Sequence, residues 1–256
     1  MTAISPGARG LRAAAAAVAL AALPAVASAQ LFETTVQEFW PGLDVYYKLG
    51  EQSRIYAFAS FARARETATS TEFTWGVNYD WFAAELPVRV RAALPQMEQY
   101  WSHWYRVGYV RVNALDGGRN ENRLLGEATL RSEPLFWDVQ LANRSRLELR
   151  DIDGEFSWRY RNRSRIERAF GIVEGLGHTV GGPLLRLGAT YLLPYAMLEF
   201  YWDSRDSDWT RRYRQFGIEM DLARNQGIEV YLAIQDDKRT AASTVYAWGV
   251  TYTLRF

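Results

Sequence analysis

The chain has 256 residues, with 30 Lys+Arg against 29 Asp+Glu, two His and no Cys. Near-balanced charge removes the electrostatic case for a nucleic-acid partner. The lack of Cys excludes disulfide scaffolds, thiolate metal centres and cysteine nucleophiles, and two His leave little for an imidazole site, so neither metal nor cofactor is expected.

Residues 1–29 have the parts of a secretory signal. Arg9 and Arg12 precede the apolar run AAAAAVALAALPAVA, and Ala27-Ser28-Ala29 offers cleavage before Gln30. Without those two arginines, 30 − 2 = 28 basic residues face 29 acidic ones. No later apolar run approaches the roughly 18 residues of a spanning helix, so residues 30–256 read as one exported domain.

From there the chain alternates with period two, the sign of a strand with one apolar face. Turn and polar segments divide it into about twelve strands: 32–40, 43–49, 54–65, 72–82, 103–114, 122–131, 135–150, 155–169, 188–202, 209–222, 227–236 and 243–256. The first pair is open to another reading, in which Pro41-Gly42 is a kink within one strand. In 72–82, Phe73, Trp75, Val77, Tyr79 and Trp81 share a face. In 135–150, Leu135, Trp137, Val139, Leu141, Leu147 and Leu149 oppose Asp138, Gln140, Arg144, Arg146, Glu148 and Arg150. Those sixteen residues extend about 50 Å, longer than an ordinary globular strand. Phe216, Ile218, Met220 and Leu222 alternate with Gln215, Gly217, Glu219 and Asp221. Ile228, Val230, Leu232 and Ile234 alternate with Glu229, Tyr231, Ala233 and Gln235. The last strand places Tyr246, Trp248, Val250, Tyr252, Leu254 and Phe256 on one face.

The turns GEQS (50–53) and RNQG (224–227) are short, whereas DGGRNEN (116–122) and DSRDSD (203–208) are longer and polar. Short turns at one end and longer loops at the other suit an outer-membrane barrel, where single-chain bacterial examples have an even strand number. Trp40, Trp75, Trp81, Trp137, Trp202, Trp209 and Trp248 read as girdle residues. The expected fold is therefore all-β: a transmembrane antiparallel up-and-down barrel of about twelve strands (range ten to fourteen), with 83–102 and 170–187 unassigned. Its environment is the outer-membrane lipid of a Gram-negative bacterium. A secreted β-sandwich also alternates, but long strands and aromatic outer faces favour the barrel.

The polar faces carry an arginine ladder. Arg159, Arg161, Arg163 and Arg165 share one face of FSWRYRNRSRIER, and Arg144, Arg146 and Arg150 share a face of the preceding strand. The hairpin-like turn DIDG (151–154) makes the two faces neighbours. Each arginine turned toward lipid would cost about 2–4 kcal/mol near the midplane, so the ladder faces the lumen. Acids available to it are Glu127, Asp138, Glu148, Glu167, Glu199, Glu219, Asp221 and Glu229. The ladder either lines an aqueous path for small anionic solutes or closes the lumen through salt bridges. Crowding of arginines on adjacent strands, away from acids spread around the wall, favours the path.

The ending YAWGVTYTLRF resembles the C-terminal strand that outer-membrane barrels present to their assembly machinery, with Tyr246, Trp248, Tyr252, Leu254 and Phe256 carrying the likeness. From about Gln37 to Phe256, the segments FWPGLDVYYKLGEQSRIYAFASF, NRSRLELRDIDGEFSWRYRNRSRIER and YAMLEFYWDSRDSDWTRRYRQFGIEMDLARNQGIEVYLAI resemble a bacterial family of unknown function. Its members are short outer-membrane barrels with arginine-alternating central strands. Glu98–His103 and Gly171–Pro183 depart from that pattern. The likeness implies a fold and a location, and brings neither substrate nor catalytic residues.

A lipid-modifying hydrolase would need a serine, a base and an orienting group within hydrogen-bond reach. Ser102 beside His103 should point to opposite strand faces, and His178 falls in the Gly-rich GLGHTVGGP. The expectation is a non-enzymatic barrel: a narrow channel or binding pore for small anionic solutes. A closed structural or envelope-interaction barrel and the hydrolase are its alternatives.

Overall fold

The computed structural model describes residues 36–63, 71–85, 101–115, 118–135, 137, 139–171, 191–223, 225–238 and 244–256. The signal segment 1–29, Asp138, His178, and most of 83–102 and 170–187 lie outside them. The compact unit is Val36–Phe256. Its strands are β1 (Val36–Lys48), β2 (Ser53–Arg63), β3 (Thr71–Glu85), β4 (Trp101–Ala114), β5 (Glu121–Arg131), β6 (Val139–Ile152), β7 (Glu155–Arg168), β8 (Phe170–Gly171), β9 (Tyr191–Asp203), β10 (Asp208–Ala223), β11 (Gln226–Asp237) and β12 (Thr244–Arg255). Each long strand pairs with its sequence neighbours, and β12 returns to β1, so the sheet closes on itself. The two-residue β8 extends the ladder of β7 along β9. Counting β7 and β8 as one stave leaves an eleven-strand up-and-down barrel.

Eleven corrects the even number expected, and the difference arises at Pro41-Gly42. Residues 36–48 run as one strand, with Pro41 facing outward between Phe39 and Leu43. The β1–β2 register begins at Gly42↔Ser60, so proline's missing N–H removes no rung on that side. An odd number of alternating strands makes the first and last run the same way. The closing pair β1–β12 is accordingly parallel, Val36↔Val245 through Tyr46↔Arg255. Val36 and Phe256 therefore lie at opposite rims, here called the N-terminal and C-terminal rims.

Two local expectations also change. The β6 ladder starts at Val139 rather than Leu135, because Trp137 has φ 59°, a left-handed conformation that a ladder cannot absorb. The short turns after β1 and β10 do share the C-terminal rim, and the polar segments 115–120 and 204–207 share the other. Yet the two longest connections, 86–100 and 172–190, also leave from the C-terminal rim, so loop length does not sort by end. The hairpin at 151–154 tightens to Asp153 (φ 51°) and Gly154 (φ 90°), both in the left-handed region, as a two-residue turn requires.

Alternation sorts the walls as read. Phe73, Trp75, Val77, Tyr79 and Trp81 face outward, while Gly76, Asn78, Asp80 and Phe82 are buried inside. Outward rings pair across strands, Trp81 on Tyr105 at 5.6 Å and Trp158 on Trp202 at 4.5 Å between centroids. Trp40 is the exception among the expected girdle residues. Continuity of β1 turns it inward, where it stacks on Tyr213 and donates to Glu38 at 2.8 Å.

Candidate functional site

The interior has two halves. Toward the N-terminal rim it is filled. Val110, Val112 and Leu125 pack with Phe58, and Tyr201, Tyr213, Ala233 and Ala247 pack with Trp40. Tyr195 and Tyr231 join the second cluster and also border the open half, and lumen glycines make room for them: a Cβ at Gly249 would fall inside the ring of Tyr231, and one at Gly217 would strike Tyr195.

Between the apolar clusters lies the arginine ladder, and every member is ion-paired. The β6–β7 register sets Arg144 opposite Arg163 and Arg146 opposite Arg161, a like-charge arrangement that is destabilising by itself. Acids from flanking strands intercalate. Glu199 on β9 accepts from Arg144 at 3.2 Å, Arg161 at 3.0 Å and Arg163 at 2.9 Å, and also from the Tyr201 hydroxyl at 3.0 Å. Glu127 on β5 takes Arg146 at 2.6 Å and Arg144 at 3.5 Å. Glu148 takes Arg161 at 2.8 Å, Arg146 at 3.5 Å and Arg159 at 3.7 Å. Arg150 joins Glu121 to Asp203, the latter at 2.6 Å. Arg165 bridges Glu167 at 2.6 Å and Glu219 at 2.5 Å.

Of the expected acids, Glu127, Glu148, Glu167, Glu199 and Glu219 meet the ladder. Asp221 pairs instead with Arg255 at 2.9 Å. Glu229 accepts hydrogen bonds from the Tyr195 hydroxyl and from Gln215 at 3.1 Å. The crowding argument fails because the barrel is narrow and acids on β5 and β9 stand in register with the arginines: Glu127↔Arg146, Arg163↔Glu199 and Arg159↔Asp203.

Sequence reasoning missed Glu121 and Asp203, which it left in the polar segments DGGRNEN and DSRDSD. Their parity with Glu127 and Glu199 is the signal that could have found them. It also passed over Asp80, fully buried between Arg54 at 2.8 Å and Arg106 at 2.6 Å. In the rim turn, burial works against the Arg205 charge. Hydrogen bonds to Asp203 more than offset it, holding the guanidinium above its ordinary range.

Toward the C-terminal rim the lumen opens into a vestibule of about 480 Å³. Arg106, Glu127, Arg144, Arg163 and Tyr213 are among the charged and aromatic residues that line it. The arrangement can hold a small polar molecule against fixed charges of both signs.

Ser102 and His103 sit at the same rim. Contrary to expectation, Ser102 Oγ lies 2.8 Å from His103 Nδ1, and it also reaches the Ala84 carbonyl at 3.1 Å. The pairing register shifts between Phe82, Ala84 and Glu85, which breaks the strict alternation assumed. Tyr246, Trp248, Tyr252, Leu254 and Phe256 line one outward face of β12 and its end.

No protein-family model matches the chain, and no curated protein matches it.

Proposed function

We propose that the chain is an outer-membrane β-barrel that does not conduct ions and that binds a small polar ligand in a blind vestibule. The carrying observation is the saturation of the arginine ladder: Arg150 and Arg159, next to the N-terminal rim, are 4% and 6% exposed and held by buried acids. Arginines committed to carboxylates in this way close a lumen rather than filter a current. The bilayer setting is supported by the outer wall, where Trp81, Tyr105, Val107, Leu147, Leu149, Trp248 and Phe256 are exposed around a closed sheet without edges. The secretory-like segment 1–29, the final aromatic strand and the resemblance to short arginine-rich barrels support export to the outer membrane, with the assembly machinery as partner.

The channel for anionic solutes is the competing reading, since the vestibule supplies half of a path. Planar-bilayer recording on the detergent-extracted barrel separates them. Silent bilayers, with folding verified by heat-modifiable gel mobility, are expected. Discrete anion-selective steps would overturn the closed reading. The serine–histidine contact keeps a hydrolase as a second reading, and an unchanged envelope lipid profile in His103→Ala cells would remove it.

A further inference from the structure

Most of the charge lining the vestibule is segregated, with Arg54 on β2 standing between two arcs. On the arc β4–β7 it presents Arg106, Arg131, Arg144, Arg163 and Arg165, against Glu127 and Glu167. On the arc β10–β1 it presents Asp44, Glu219, Asp221 and Glu229, against Arg255. In a ring of eleven staves these arcs face one another across the lumen, and Arg165 and Glu219 bridge their near edges across β9. Arg163 keeps 26% of its side chain exposed while paired with Glu199 at 2.9 Å, so part of its guanidinium still faces the cavity on the basic side. On the acidic side, Glu229 is held by a hydroxyl and an amide, both uncharged. Glu219 and Asp44 line the same wall. Tyr56, Tyr213 and Tyr231 also line the cavity.

A simple anion would satisfy the arginines and be repelled by the opposite arc. A simple cation would meet the reverse. We infer that the vestibule binds a small zwitterion, its anionic group on Arg144 and Arg163 and its ammonium on Glu229 beside the tyrosines. Guanidinium forks suit a phosphate or carboxylate, and aromatic faces beside a carboxylate suit an ammonium. The inference rests on the blind-vestibule reading but has its own test.

The barrel, extracted in a maltoside detergent, is titrated calorimetrically with phosphocholine, choline chloride and inorganic phosphate. Phosphocholine is expected to bind roughly tenfold or more tightly than either half, the worth of one further charged contact. Glu229→Gln should abolish that preference, weakening phosphocholine and choline while phosphate binds no more weakly than before, because one repelling carboxylate is gone. Arg163→Gln should weaken phosphocholine and phosphate alike, with heat-modifiable mobility reporting that the variant is folded. Phosphate binding as tightly as phosphocholine would overturn the proposal in favour of an anion site. Choline binding as tightly would overturn it in favour of a cation site. No binding by any probe to the folded barrel would also sink it, while silent bilayers would leave the closed barrel standing. A lysophospholipid with the same headgroup distinguishes the sources: equal affinity marks a soluble ligand and tighter binding a lipid headgroup, and either supports the zwitterion.

Discussion

The two halves of the lumen use the same residue types to opposite ends. Near the N-terminal rim, arginines and acids occupy neighbouring strands in register, so each charge meets its partner within the wall and the space fills. Near the C-terminal rim, Asp44, Glu219, Asp221 and Glu229 stand on β1, β10 and β11 while arginines outnumber acids on β4–β7, so beside the Arg165–Glu219 bridge a cavity remains between the two walls. The composition is similar, and the strand that carries each charge decides between a plug and a pocket. Buried ion pairs seldom add net stability over an apolar filling, but losing one partner is costly because the other stays behind as an uncompensated charge.

The largest break in this contrast should come from Glu199. Its carboxylate is fully buried and serves Arg144, Arg161 and Arg163 together. Glu199→Ala would leave three guanidiniums crowded around an empty acceptor, at a cost of about 3–5 kcal/mol. Urea unfolding of the barrel in lipid vesicles, followed by tryptophan fluorescence, checks this. The matching change in the open half, Glu229→Gln, removes no arginine partner and should cost less than about 1 kcal/mol. Equal losses at the two sites would erase the distinction between plug and pocket.

Next in size is Gly249→Ala. The ring of Tyr231 covers this glycine so closely that an added methyl must displace it. Overpacking of this kind costs about 1–3 kcal/mol. The double variant Gly249→Ala/Tyr231→Ala should recover part of the loss, because the ring that collides is gone. A double variant less stable than the sum of the singles would show that the ring fills the lumen rather than crowding the glycine.

The walls were legible in the sequence because strand parity is local: inward Arg159, Arg161, Arg163 and Arg165 follow from two-residue spacing alone. The strand number was not, because proline usually interrupts a ladder. Whether Pro41 does so depends on where β2 begins to pair, a non-local fact. Partner choice was legible only in part. Register between β6 and β7 follows from a two-residue turn, whereas Arg163↔Glu199 and Arg159↔Asp203 are set across the long connection 172–190. Charge segregation in the vestibule needed the ring itself, since β1 and β10–β12 become neighbours only on closure.

The smallest effect concerns the outer wall behind the ladder. Asn143, Ser145, Asn162 and Ser164 face outward on β6 and β7. Asn143 donates to Asn162 at 3.2 Å and to Ser164 at 3.1 Å, and Asn162 donates to Ser145 at 3.2 Å. These are neutral groups bonded to one another. Replacing partners on both sides by apolar residues therefore removes a satisfied network without stranding a charge, an exchange that is often neutral or mildly stabilising. Asn143→Leu/Asn162→Leu should shift unfolding in vesicles by no more than about 1 kcal/mol, toward stability if this wall meets lipid. A destabilisation approaching that of Glu199→Ala would mean that the outer square, and not the inner ladder alone, holds β6 to β7.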